Sequence, residues 1–351
     1  MRRGSARRVL AALSSGLLLA ALLSACGDGD DSSSGKPGLQ KVTVIESLLS
    51  LGYVPLYLAI SHGFFEDHGL EVELVEATGG STAGTALISG DAQFAGMSIT
   101  NAVASTGQGK PLVAFAEMQA QISVPVVVST KLWESSGLTD SSPLEDKIKL
   151  LQGKQLGVIS PTGQNAQVFN YLFNAHKIDP AGAQQNVLKT PAAMVNALQH
   201  GQVDALNVAP PYPQQMVAGG YGHILINLTM GEDPTINGAD SDGVVTTPEY
   251  IKEHPETVQA FYDAMADSGE YLIDHPKEAA DEVYAKYFSQ TERTSFDAGF
   301  QAQIDGGVWS KNPTMTQQGM QRLIDFLKGA GVEVADNWNE AWTDQFSKAA
   351  S

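Results

Sequence analysis

One cysteine, Cys26, among 351 residues excludes an intrachain disulfide, a cysteine-held iron–sulfur cluster and a cysteine-rich zinc site. Basic residues are also scarce. Twenty-one stand against 39 acidic ones, a formal charge of −18. Such a surface repels phosphate backbones, so nucleic acid is not expected as a partner. The seven histidines, His62, His68, His176, His200, His223, His254 and His275, are scattered with no HxxxH and no His/Cys grouping of zinc type, and no metal site is expected. There is no GxSxG nucleophile elbow, and Gly79–Gly84 runs on into Thr85-Ala86 where a phosphate loop carries Lys followed by Ser or Thr. No catalytic residue and no cofactor is therefore expected.

What is present starts with a leader. Arg2, Arg3, Arg7 and Arg8 precede an apolar run of roughly 15 residues, Val9 to Leu23, too short to span a bilayer comfortably. Leu23-Ser24-Ala25-Cys26 follows, and the order of basic start, apolar core, small residues and cysteine resembles a bacterial lipoprotein lipobox. That resemblance implies a signal peptide at 1–25 and a diacylglycerol on Cys26, which would consume the one thiol. Residues 26–40, with the run DGDDSSSGKPG, have nothing apolar to bury and read as a flexible tether. Cleavage before Cys26 leaves 326 residues carrying 17 basic and 39 acidic side chains. That length exceeds what one core usually serves.

From Lys41 the chain alternates short apolar strands with helices. KVTVIE (Lys41–Glu46) and EVELVE (Glu71–Glu76) are strands, a helix runs from about Pro55 to His62, and PLVAFA (Pro111–Ala116) is a further strand. Between them, GGSTAGTALISGDAQFAGMSITN (Gly79–Asn101) reads as a Gly/Ser turn opening a helix, a Gly90-Asp91 break, a strand, and a second polar turn. The spacing predicts a parallel, doubly wound α/β sheet with ligands beyond the carboxyl ends of its strands. A second copy of the pattern lies downstream: ALQHGQVDALNV at Ala197–Val208 echoes ALISGDAQFAGM at Ala86–Met97. Two similar lobes facing across a cleft fit that echo.

The ordered series GYVPLYLA (Gly52–Ala59), HGFFEDHGLEVELVE (His62–Glu76), GGST (Gly79–Thr82) and ALISGDAQFAGMS (Ala86–Ser98) resembles the solute-binding component of ABC importers in the nitrate/sulfonate/taurine group, a group that also contains binders of the thiamine pyrimidine precursor. The resemblance implies a two-lobed periplasmic-binding-protein-like fold of type II, with doubly wound sheets joined by a two-segment hinge. Lobe 1 would comprise 41–121 and 243–351, lobe 2 residues 122–242. It further implies a monomer held outside the cytoplasm by its lipid, delivering a small solute to a permease driven by a separate ATPase. Helical stripes at Pro255–Asp274, Pro276–Phe288 and Thr316–Gly329 are expected to cover lobe 1, and Trp338 and Trp342 to anchor a last helix.

Helix N-termini offer unpaired N–H groups to an anion, so the candidate ligand contacts are taken from turns: Ser47, Gly52 and Tyr53; Gly80 and Ser81; Ser98, Thr100 and Asn101; Gln119; Ser160, Thr162, Gly163 and Gln164; Asn207 and Tyr212. The turn at Ser160–Asn165 is matched to the Gly79 turn, with Ser160 and Thr162 as caps. Asp240-Ser241-Asp242-Gly243 holds a fragment of a calcium-loop pattern and reads as a solvated turn. The candidate loops hold no Arg to clamp a sulfonate. A sulfonate, nitrate or taurine-like solute on helix N-termini is one reading. A flat aminopyrimidine stacked on Tyr53, Tyr57 or Tyr212 and paired with Glu46 or Glu117 is another. An enzyme on the same fold, or a lipid-tethered scaffold without ligand, are the remaining ones.

Overall fold

The computed structural model describes residues 38–77 and 79–348; the leader, Cys26 and most of the 26–40 tether lie outside them. Apolar and β-branched runs form ten strands among these residues. Four come first, β1 (Gln40–Glu46), β2 (Leu70–Glu76), β3 (Phe94–Ser98) and β4 (Val113–Gln119). Five then build a second sheet, β5 (Val126–Ser129), β6 (Gln155–Val158), β7 (Gln184–Val187), β8 (Ala205–Asn207) and β9 (Gly222–Ile226), before β10 (Asp242–Thr246) returns to the first. The orders are β2-β1-β3-β10-β4 and β7-β6-β8-β5-β9. Each sheet is mixed rather than wholly parallel, because β10 and β5, the strands that follow the two crossings, lie antiparallel to both neighbours.

Within the first sheet and its surroundings, α1 (Val54–His62), α2 (Phe64–Asp67), α3 (Gly80–Ser89) and α4 (Ile99–Gly107) link the strands. The second half adds α5 (Thr130–Ser136), α6 (Leu144–Leu150), α7 (Gln164–Ala175), α8 (Pro191–Gln199) and α9 (Tyr212–Ala218). The C-terminal third is α10 (Pro248–Glu253), α11 (Pro255–Asp274), α12 (Pro276–Val283), α13 (Arg293–Asp305) and α14 (Gln317–Gly329).

Two layers of side chains hold the sheets. On β1, Val42 and Val44 join one apolar cluster and Ile45 the other, as a period-two strand requires. The first cluster centres on Phe261 of α11, whose ring lies 4.3 Å from that of Phe94 and 4.5 Å from that of Phe65. The apolar stripe of α14 (Met320, Leu323, Ile324, Leu327) belongs instead to the cluster containing Phe169 and Leu172 of α7, and Phe326 meets Tyr171 at 5.3 Å. The expectation that α14 covers the first lobe is therefore corrected. No terminal helix forms at the last tryptophans either: Trp338 opens a 3₁₀ turn and Trp342 makes a parallel bridge to Ala114.

The sequence echo is a structural repeat. In both copies a glycine of positive φ ends the helix, Gly90 at 83° and Gly201 at 69°. The next two amides then bond one helix carbonyl, that of Ala86 (3.0 and 3.4 Å) or Ala197 (2.8 and 3.4 Å). Gln93 Oε1 accepts from Thr43 N at 2.8 Å, and Asp204 Oδ2 accepts from Gln155 N at 2.9 Å, each locking the following strand to its neighbour. The matching strands are β1/β6, β2/β7 and β3/β8.

Two crossings, 120–125 and 227–241, connect the sheets, and α13 braces them. The buried Gln121 amide donates to the carbonyls of Thr229 and Gly306, each at 2.6 Å, while the Ser123 hydroxyl contacts Thr229 and donates to Gln303. A Cβ on Gly306 would stand 2.1 Å from the Thr229 carbonyl oxygen. Gly306→Ala should therefore cost about 2–3 kcal/mol, read as a lower denaturant midpoint; an unchanged midpoint would contradict this packing.

Candidate functional site

Six turns, three from each half, follow the carboxyl ends of parallel strands and bound one cavity of about 590 Å³. After β1 come Ser47, Ser50 and Tyr53; after β2, Gly79, Gly80 and Ser81; after β3, Ser98 and Asn101. Their counterparts are Ser160, Thr162, Gly163, Gln164 and Asn165 after β6, Lys189, Thr190 and Pro191 after β7, and Val208, Ala209 and Tyr212 after β8. Gln119 and Asp242 close the first-sheet wall, and Val124 lies at a crossing. The helices α3, α4, α7 and α8 all begin here, so the positive ends of four helix dipoles meet at one space.

The repeat corrects one expected equivalence. Because β6 matches β1, the Ser160–Asn165 turn corresponds to the Ser47–Tyr53 turn; the counterpart of Gly79-Gly80 is Thr190-Pro191. Ser160 and Thr162 are not caps, since Gly163 holds the N-cap position of α7, whereas Thr190 Oγ1 does cap α8 by accepting from Ala193 N at 3.2 Å.

Three of the expected contacts stand behind the wall rather than in it. Thr100 is buried and meets the Ser98 hydroxyl at 3.1 Å. Asn207 is fully buried; its amide donates to Asn165 O at 2.8 Å, and the Asn165 amide returns bonds to Asn207 O and Oδ1 at 2.6 and 2.9 Å. The pair ties β8 to the start of α7. Gly52 leaves room for a neighbour: a Cβ there would fall 1.4 Å from Gln119 Nε2, which reaches past to donate to Asp242 Oδ2 at 3.2 Å. Gly80 does the same for Asn101, whose amide would be 2.5 Å from an added Cβ. Tyr53 lines the cavity with its hydroxyl 2.7 Å from Ser47 Oγ.

The aromatic and acidic partners assigned to a heterocycle are differently placed. Tyr57 is wholly buried, stacks on Tyr287 at 4.5 Å, and donates to Glu46. Neither Glu46 nor Glu117 lines the cavity. Lys189 and Asp242 do, and they are the two formally charged side chains among its described lining residues.

The Asp240–Gly243 segment is not a solvated turn. Asp240 and Ser241 are 3% and 0% exposed. Burial comes from distant chain: Thr316 N donates to Asp240 Oδ2 at 3.2 Å, Ser241 N donates to Gln119 O at 2.9 Å, and Gln164 Nε2 reaches Ser241 Oγ at 2.8 Å. No group of three His, Cys, Asp or Glu side chains among the described residues is arranged to hold a metal ion.

Four carboxyl groups are held above their ordinary range. Burial lifts Glu46 to about 7 against the opposing bond from Tyr57. Burial also lifts Asp242 to about 7, its carboxylate deep among protein atoms although part of the residue opens to the cavity. Glu117 and Asp240 bond to each other. Desolvation, then the Asp240 charge, holds Glu117 well above the carboxylate range, and desolvation lifts Asp240 to about 6.

Two facing halves with ligand-sized space between their strand ends define a periplasmic-binding-protein-like fold. The chain belongs to the NMT1/THI5-like family, whose model matches residues 51–279. The protein YtlA of Bacillus subtilis is 24% identical over 300 residues, 84% of each chain. The nitrate import ATP-binding protein NrtC of Synechocystis is 25% identical over 340 residues, 87% of this chain but about half (49%) of that protein's length. Among solved structures, the ligand-binding component of an ABC-type import system from Staphylococcus aureus, with zinc bound, superposes with a TM-score of 0.70 at 18% identity, covering 89% of this chain and 99% of that one. The alkanesulfonate-binding protein SsuA of Xanthomonas axonopodis, bound to MOPS, gives 0.67 at 15% identity, with 88% and 99% coverage.

Raised carboxyl pKa values make the folded chain keep protons that the unfolded chain releases. Their stabilisation is therefore complete below about pH 4 and is lost as pH rises through 6 to 7. The melting temperature should fall from pH 5 toward pH 8, and Glu117→Gln should flatten that fall. A melting temperature that climbs from pH 5 to 8 would contradict the assignment.

Proposed function

We propose that this chain is the extracytoplasmic solute-binding component of an ABC importer. The observation that carries the reading is the shared cavity: each half supplies three turns, so a solute between them makes its full contacts only when both halves close on it. Closure of that kind is a population shift toward the state that offers both sets of contacts. The closed form would then present its surface to a permease, with a separate ATPase supplying the energy. Residues 41–121 and 243–351 apart from α14 form one moving lobe, and 122–242 the other, with α14 travelling with the second through its packing on α7. The protein acts as a monomer.

The lipid anchor rests on sequence alone. Residues 1–25 are a signal peptide, and Cys26 carries the lipid that holds the mature chain to the membrane through the 26–40 tether. Among the described residues no helix is long and apolar enough to cross a membrane. Produced from the full-length chain in a bacterial host, the protein should partition with membranes and take up labelled palmitate; Cys26→Ser should release it unlabelled. Equal membrane retention by both would remove the anchor.

Four helix N-termini suit the anionic group of a sulfonate-like solute, and one solved neighbour is an alkanesulfonate-binding protein. Tyr53, Tyr212 and Asp242 on the same cavity favour a second reading, an amine-bearing ring such as an aminopyrimidine. A thermal-shift screen of the mature protein against nitrate, taurine, alkanesulfonates and aminopyrimidines, followed by calorimetry, separates them. At least one class should raise the melting temperature with a saturable, one-site isotherm. A flat response to every solute would refute the binding function.

A further inference from the structure

The charges on the two walls narrow the solute class, an inference that rests on the binding function above. Asp242 lies on β10 of the first sheet, beside the Ser98 hydroxyl and accepting from the Gln119 amide at 3.2 Å. No Lys, Arg or His forms an ion pair with it among the described residues. Buried carboxylates are normally paired, and this residue lines the cavity. Lys189 lies across the space, between β7 and α8 of the second half, and it too has no carboxylate partner among the described residues. Its backbone sits at φ 67°, a region that costs a non-glycine residue of order 1–3 kcal/mol and that persists mainly where function requires it. The next residue, Thr190, caps α8, so the Lys189 ammonium and the α8 N-terminus serve the same end of the cavity.

We propose that the cleft is built for an organic zwitterion: an anionic group held by Lys189 and the first turn of α8, and a cationic or N–H-bearing group held by Asp242. Size agrees with this. A space of about 590 Å³ falls in the range of sites for organic ligands, and a four-atom oxyanion such as nitrate would leave most of it unfilled. The two charges belong to different halves, so such a solute bridges the lobes ionically. A ligand with one charge leaves one wall unmatched: either Lys189 lacks an anion, or Asp242 lacks the cationic or N–H-bearing group that would favour its ionised form.

Calorimetry on the mature protein with matched probes tests this: 3-(N-morpholino)propanesulfonate and 3-aminopropanesulfonate as zwitterions, propanesulfonate as the anion alone, and N-propylmorpholine as the cation alone. The zwitterions should bind about tenfold or more tightly than either single-charge probe, since each lost pairing is worth roughly a decade in affinity. Asp242→Asn should abolish the preference over propanesulfonate, and Lys189→Asn, which tolerates the positive φ, the preference over N-propylmorpholine. Unliganded melting temperatures close to wild type would show that both variants fold. Equal binding of propanesulfonate and the zwitterions, or no binding of any probe, overturns the inference. If the wider solute screen still yields a ligand of one charge or none, the zwitterion fails and the binding function stands; if that screen also finds nothing, both fail.

Discussion

Three consecutive buried residues, Asp240, Ser241 and Asp242, are the constraint on which the arrangement turns. They lie where the chain comes back from the second sheet and enters the first. Asp240 is bound by Glu117 and by the amide of Thr316. Ser241 accepts at its carbonyl from Ile99 N at 2.9 Å, donates its own amide to Gln119 O, and receives the Gln164 side chain from α7. Asp242 opens into the cavity. One short stretch therefore touches the C-terminal arm, both halves and the solute space, and a shift at any of these is felt at the others.

Repetition explains the remainder. Two copies of a β–α–β pattern put three turns apiece at the carboxyl ends of their strands, and the exchanged strands β5 and β10 set the copies face to face. An acidic chain can still gather anionic groups in such a space, because helix N-termini and one lysine act at short range while the diffuse surface charge is screened over about 10 Å.

Much of this was legible in sequence because the signals are local. Short β-branched runs, Gly-ended helices and the Ala86/Ala197 echo mark elements whose hydrogen bonds close within a few residues, and the polar turns at Ser47, Gly79, Ser98 and Ser160 stand at the ends of visible strands. The two charged cavity residues were missed for physical reasons. Asp242 sits in a polar, glycine-containing segment, and the strands that flank it, with Ser98 and Gln119 opposite, lie more than a hundred residues earlier. Lys189 follows β7, whose sequence QQNV shows no apolar alternation because it is a partly exposed edge strand. Extending the echo upstream at its own 111-residue offset maps Gly79-Gly80 onto Thr190-Pro191 and would have marked that turn. Tyr57 misled in the opposite sense, since an aromatic just after a loop reads the same whether it lines a cleft or fills a core.

The central claim is that the two halves close on a solute held between their strand ends. Spin labels on Thr82→Cys at the start of α3 and Ala192→Cys at the start of α8, in a Cys26→Ser background, report the distance across the cavity mouth by pulsed electron resonance. Addition of the solute that most raises the melting temperature should convert a broad, longer distance into a single shorter one. A distribution unchanged at saturating solute would contradict the account.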